Sequence, residues 1–377
     1  MNRLKELLDK SGRTVDDAST STSIPRERLE EILEGGGPTL AELRRLAAYL
    51  KVDLSTLAAS STVSPNVMLF RSTMGKNLRA RQALTVEILS AQLDRTLELL
   101  AESKEDNWIE QLATDSQTYQ AAERAAERFR TLFFDDDQVS PILNLPQIVV
   151  ERLNVVLAVT PKLPIDGASA FIDGNAFIFV APRTFIPRML FTLGHELGHL
   201  VGHKKALENF ALFDQEDSLG RIKQTAQTME RFADAFASCL LLPAAGVGIA
   251  LQKVRKVYGV SGDFVGDIEL LYVANLFGVS FQVAARRCED LGLLKVGSAI
   301  SLYEKLCSEF GNPERRANAL GLPPRPQVTF PSVSPRLLSR AVDAIRRGEI
   351  SIGRAAKNLN VSIGSIVDSQ GSLGTGH

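Results

Sequence analysis

The stretch Phe191-Thr192-Leu193-Gly194-His195-Glu196-Leu197-Gly198-His199 decides how the rest of the chain is read. Its residues favour a helix, and two histidines four apart sit about 40° apart on a wheel turning about 100° per residue. Both imidazoles can therefore reach one tetrahedral ion, and zinc takes histidine nitrogen in that geometry. Glu196, between them, is placed to hold the metal's water rather than to ligate. Taking His195 as zero, Leu190, Leu193, Leu197 and Leu200 cluster at about 140–220°, so the packing face lies opposite the metal face. Histidine is also scarce: four in 377 residues, three of them at 195, 199 and 203. An incidental pair on a buried helix would show neither the segregation nor the concentration.

A catalytic zinc needs a third protein ligand and one open position. His203 lies a further turn along the helix, about 6 Å on, too far for an ion held by His195 and His199. It is expected to be exposed, or to touch the ligands from outside. Glu230 is the better third ligand. It opens Glu230-Arg231-Phe232-Ala233-Asp234-Ala235-Phe236-Ala237, an apparent helix with Glu230 and Asp234 on one face and Phe232, Phe236, Cys239 and Leu240 on the other. Glu230 is expected to ligate, and Asp234 to accept the free N–H of a ligating histidine and so fix its tautomer. Cys239 then falls in the core; Cys288 and Cys307 receive no role.

Working outward, the texture divides the chain into four segments. Residues 1–60 show five short apolar stripes, with Thr14 placed to cap a helix and Gly35-Gly36-Gly37-Pro38 as a break. Residues 61–135 form a helical connector, with helices expected over Arg79–Ser103 and Thr118–Phe134. Residues 136–298 mix strands (Asn154–Thr160, then a hairpin Ala168–Val180 around Asp173-Gly174) with helices after Leu190. Residues 299–377 hold a proline-rich arm, with six of the 16 prolines between Gly311 and Pro335, and a last helical unit from Ser334 to Asp368. The fold class is α+β and multidomain.

Composition removes several functions. Forty-three basic against 44 acidic residues give a net charge of −1, which excludes a chain that coats nucleic acid and leaves only local patches. Three dispersed cysteines make neither a disulfide framework nor a cysteine-rich zinc module. Ala235–Gln252 is uncharged over a length near that of a membrane span, yet it holds Pro243, Gly246 and Gly248 and reads better as a buried helix ending at Leu242–Pro243. The chain is expected to be soluble and cytoplasmic.

The paired motifs, His195-Glu196-Leu197-Gly198-His199 and Glu230-x-x-Ala233-Asp234-x-Phe236-Ala237 with Leu240-Leu241-Leu242-Pro243, resemble the ImmA/IrrE family of zinc metallopeptidases over residues 136–295 or so. The resemblance implies a gluzincin-like site, with His195, His199 and Glu230 as zinc ligands and Glu196 as general base. It implies as partner a Cro/XRE-type repressor, cut to derepress stress-response or mobile-element genes. The hairpin Ala168–Val180 would supply the sheet edge that holds an extended substrate.

Residues 1–57 resemble a Cro/XRE helix-turn-helix domain through Thr14-Val15-Asp16-Asp17-Ala18 and Ile24-Pro25-Arg26-Glu27-Arg28-Leu29. The recognition helix offers Arg26 and Arg28 against Glu27, Glu30, Glu31 and Glu34, a poor balance for phosphates. Two readings stand: weak DNA binding through those arginines, or an interaction module. The C-terminal unit, with Arg354 and Lys357 among six basic residues from 336 to 357, reads as a second helix-turn-helix or as a packing or dimerisation module. The class competing with a peptidase is a DNA-binding regulator whose metal domain senses without turnover.

Overall fold

The computed structural model describes Leu4, Leu7 and Leu8, and residues 11–34, 40–50, 80–100, 108–172, 174–203, 211–213, 224–261, 264–331, 333–359 and 361–373. The chain forms two compact units, residues 1–68 and 69–377.

In the first unit, helices α1 (Val15–Thr22), α2 (Arg26–Glu34) and α3 (Leu40–Leu50) surround a small core of Leu4, Leu8, Ala18, Ile24, Leu29, Ile32 and Leu46. Thr14 caps α1 as its sequence suggests: its hydroxyl accepts from Asp17 N–H at 3.2 Å, while Asp17 reaches back to Thr14 N–H at 2.9 Å. The glycine break and the last of the five stripes, beyond residue 50, lie outside the described residues. Both arginines proposed for DNA are already bonded to acids. Arg26 pairs with Asp16 at 2.7 Å and Glu30 at 2.9 Å, and Arg28 with Glu31 at 2.6 Å and Glu42 at 3.1 Å.

The second unit opens with α4 (Ala80–Leu97), α5 (Trp108–Leu112), α6 (Tyr119–Phe133) and α7 (Leu145–Glu151). Strands β1 (Val156–Val159), β2 (Gly167–Ile172) and β3 (Asn175–Val180) follow, then helix α8 (Ile186–Gly202), strand β4 (Ala211–Phe213) and helix α9 (Gln224–Leu241). Beyond them come α10 (Ala244–Tyr258), α11 (Asp267–Phe277), α12 (Phe281–Asp290), α13 (Ser298–Phe310), α14 (Pro313–Ala319), α15 (Pro335–Arg346), α16 (Ile352–Leu359) and α17 (Ile363–Leu373). The result is mostly helical with one small mixed sheet.

The sheet runs β1-β3-β2-β4, with β1 parallel to β3 and β2 antiparallel to both its neighbours. The expected hairpin forms, turning through Gly174 at φ +73°, a conformation glycine adopts without strain. The edge expected of it does not. Both hairpin strands are interior, because β4 from the segment after the histidine helix pairs along Ala168–Ala170. The edges are β1 and β4, and no feature of residues 204–223 signalled that strand.

One apolar core runs from Trp108 through the sheet and α8 to Val328. The boundaries expected at 135/136 and 298/299 therefore fall inside a single compact unit rather than between two. The proline-rich arm is strapped to that core: Leu322 and Val328 are buried in it. Asn275 Nδ2 donates to Pro323 O at 2.8 Å, and Gln147 Nε2 to Thr329 O at 2.8 Å. The last helices dock through Arg336 Nη1 to Asn154 O at 3.3 Å and Asn358 Nδ2 to Glu98 Oε2 at 2.9 Å. Among the described residues no single helix is long and apolar enough to cross a membrane. The uncharged window instead breaks at Pro243, where the chain bends by 50° between α9 and α10.

Candidate metal centre

Helix α8 carries three functional faces. Its leucines, Leu190, Leu193, Leu197 and Leu200, are fully buried and supply the apolar contact with the core. A second stripe, Gly194, Gly198 and Gly202, faces α9. A Cβ at Gly198 would lie 2.9 Å from Ala233 Cα, and one at Gly202 would meet the Phe232 ring at 2.4 Å. Glycine at these positions lets the two helix backbones approach closely, which is how α9 delivers its carboxylates to the third face.

On that face the expected ligands meet. His195, His199 and Glu230 each offer one ligand atom, and these atoms lie within 4.8 Å of one another. The two Nε2 atoms are 3.0 Å apart. Glu230 places Oε2 at 3.3 Å from His195 Nε2 and Oε1 at 3.6 Å from His199 Nε2. His195 Nδ1 donates to Asp234 Oδ1 at 2.9 Å, the bond expected of a carboxylate that fixes a tautomer, and this makes Nε2 the nitrogen available to a metal. Two ring nitrogens and a carboxylate converging this way form a nitrogen-and-oxygen donor set that fits a divalent ion such as zinc. Glu230 keeps 35% of its side chain exposed, so the cluster opens toward solvent.

The electrostatics follow from burial and these contacts. Burial depresses the His195 imidazole, but Asp234, Glu230 and Glu196 outweigh it and hold its pKa well above the usual value. Burial dominates at His199 and pushes it down. For Glu230 burial works against the carboxylate, yet its bonds to His195 and His199 prevail and hold it well below the ordinary range. Without a metal, then, the cluster holds a proton on His195 beside an ionised Glu230.

Glu196 is fully buried, and it lies against the first residue of β2: a Cβ on Gly167 would fall 2.6 Å from its Oε1 and 2.6 Å from Thr192 Cγ2. His203, expected either exposed or touching the ligands from outside, does the latter. It ends α8, is buried, and sets its Nδ1 3.0 Å from His199 Nδ1; burial pushes its pKa down to about 3. Cys239 is a core thiol 3.6 Å from Tyr119 Oη, and Cys288 is likewise buried. Arg354 bonds Glu98 of the same unit, and Lys357 is exposed.

Two participants were not anticipated. Gly167 could have been found only by knowing which strand abuts Glu196. Gln117, which contacts His203 from 86 positions upstream, carries no local signal at all.

Residues 150–289 match the family model described as Peptidase_M78, IrrE N-terminal-like domain. That stretch holds the sheet strands, the histidine helix and the helix of Glu230, and the match supports the ImmA/IrrE family and a peptidase for this part of the chain. No curated protein matches the chain.

Proposed function

We propose that this protein is a zinc-dependent endopeptidase of the ImmA/IrrE type that cuts a Cro/XRE-type repressor or a similar regulator. The observation that supports it most is the convergence of His195, His199 and Glu230 beside a fully buried Glu196, within a stretch that matches a peptidase family. A bound zinc would supply Lewis acidity toward a peptide carbonyl and acidify a water. The chain's own residues do the rest. Asp234 orients His195 through Nδ1. Glu196, held against Gly167, takes the proton of the attacking water and passes it to the departing amine. Cleavage of a regulator in trans suits a chain whose N-terminal unit resembles such regulators.

A regulator that binds DNA without turnover has less to stand on, since Arg26 and Arg28 already satisfy acids of their own unit. The test is Glu196→Gln, incubated with zinc and a panel of Cro-type repressors from the same genome. Zinc content should stay at one per chain, while cleavage falls by roughly a hundred- to ten-thousand-fold. Equal cleavage by wild type and variant would sink the assignment.

A further inference from the structure

We infer that Gln117 and His203 are positioning residues: they form a relay that fixes the ring state of His199, so that its Nε2 lone pair faces the metal position before any metal arrives. The inference rests on the metal-site reading above but reaches residues that reading does not use.

The relay has a direction, and its far end sets it. Gly202 O can only accept, so the Gln117 amide must present Nε2 to it, which it does at 2.9 Å. Turned over, the amide would set oxygen against oxygen. Gln117 Oε1 therefore faces His203 Nε2, at 2.6 Å. An amide oxygen also only accepts, so His203 Nε2 must carry a proton. In a neutral ring that leaves His203 Nδ1 with a lone pair, and it faces His199 Nδ1 at 3.0 Å. His199 Nδ1 is then the donor, and its Nε2 keeps the lone pair that points toward His195 and Glu230. Asp234 holds the Nδ1–H of His195 by a separate bond, so Nε2 is the nitrogen that ring offers once zinc has expelled its proton. A backbone carbonyl at the end of α8 thus settles the tautomer of a ligand one turn earlier on the same helix.

The geometry that permits this is local to the helix end. His203 takes φ −133° and leaves the helix, so its ring folds back on His199 with centroids 5.1 Å apart. The Phe232 ring meets its other side at 5.6 Å, nearly edge-on. His203 is 5% exposed, so water does not compete for either ring nitrogen. One competing state exists: a doubly protonated His203 would donate at both ends and turn the His199 tautomer over.

Two measurements test the relay. In the metal-free full chain labelled with 15N-histidine, a long-range proton–nitrogen correlation reads each ring's tautomer directly, and only four histidines contribute. His203 should be the Nε2–H tautomer and neutral near pH 7; an Nδ1–H or doubly protonated ring overturns the inference. Zinc affinity, by competition with a chromophoric chelator, supplies the second readout. Gln117→Leu should weaken it by roughly 10- to 100-fold. Gln117→Glu has no N–H for Gly202 O and favours a doubly protonated His203, so it should show that ring state in the spectrum and should not restore the affinity. Equal affinity in Gln117→Leu and wild type, or wild-type affinity in Gln117→Glu with His203 doubly protonated, overturns the relay. If the wild type takes up no zinc while the ring spectrum is as stated, the relay stands and the metal reading fails.

Discussion

Replacing Gly198 by alanine should force apart the two helices that build the metal centre. The new Cβ would lie 2.9 Å from Ala233 Cα, 3.1 Å from Ala233 O and 3.2 Å from Phe236 Cβ. The two nearest atoms are backbone, so no rotamer change relieves the clash. Carbon atoms in contact prefer about 3.5–4.0 Å, so the helices must part by roughly 0.6–1 Å at this point. Ala233 stands between Glu230 and Asp234 on α9, and the shift reaches both. A metal–ligand distance tolerates only about 0.2 Å. Zinc affinity should therefore fall by at least about tenfold, which is ~1.4 kcal/mol. Overpacking should cost about 1–3 kcal/mol of stability, partly offset by the ~0.5–1 kcal/mol that alanine gains over glycine inside a helix. Gly248, in α10, is the control, since a Cβ there meets nothing within 4 Å. Gly248→Ala should gain the helix term alone and leave zinc affinity untouched. Chelator competition and thermal melts with and without zinc read both quantities. If the two variants behave alike, the close approach at Gly198 does not build the site.

Other expectations are more quickly stated. Asp234→Ala, which removes the acceptor for His195 Nδ1, should weaken zinc binding by roughly 10- to 100-fold; an unchanged dissociation constant would show that this bond does not orient the ring. Because the raised pKa leaves a proton on His195 in the metal-free chain, zinc must expel it, so apparent affinity should rise by about tenfold per pH unit until the folded pKa is passed. Calorimetry in buffers of different ionisation heat would detect the released proton. In the metal-free chain the sign is the reverse: His195 contributes stability fully below its ordinary value of 6.5 and loses it as pH rises through the folded pKa. Glu230 acts oppositely, with its contribution lost as pH falls from its ordinary 4.5 toward the depressed folded value. Burial raises the Cys239 thiol to about 11 and Cys288 to about 12, so a thiol reagent at neutral pH should modify Cys307 quickly and the other two only in denaturant. Rapid labelling of Cys239 in the folded chain would contradict its place in the core.

Much of the centre was legible because helical periodicity writes it locally. His195 and His199 share a face by their spacing, the four leucines oppose them, and Glu230 with Asp234 repeats the same offset on a second helix. The stripe Gly194, Gly198, Gly202 was equally open to reading, being glycine at every fourth position, and it explains why α9 comes so close. What periodicity cannot give is the partner of a strand. The edge assigned to the hairpin was wrong because three residues, Ala211–Phe213, pair with β2, and three residues carry no readable period. The contacts of Gln117 with Gly202 and His203 span 85 and 86 positions and are visible only once the chain has folded.

The axial position of α9 is the least local feature of all, and the site depends on it. A slip of one residue would move that helix about 1.5 Å and turn it about 100°, exchanging Glu230 for Met229 or Arg231 beside the two histidines. Two arginines, each only 1% exposed, oppose the slip from the other end. Arg130 Nε donates to Leu240 O at 2.8 Å, and Arg287 Nε to Leu242 O at 2.9 Å, where the carbonyls ending α9 have no helical partner. Cations there also suit the negative end of the helix dipole. Arg287 is itself held by the Tyr119 hydroxyl and by Glu123 at 3.1 Å, both on α6. Glu230 is thus fixed by residues more than two helical turns away from it, on helices outside the His195, His199 and Glu230 cluster. That is why a motif of five residues suffices to point to the candidate site but not to build it.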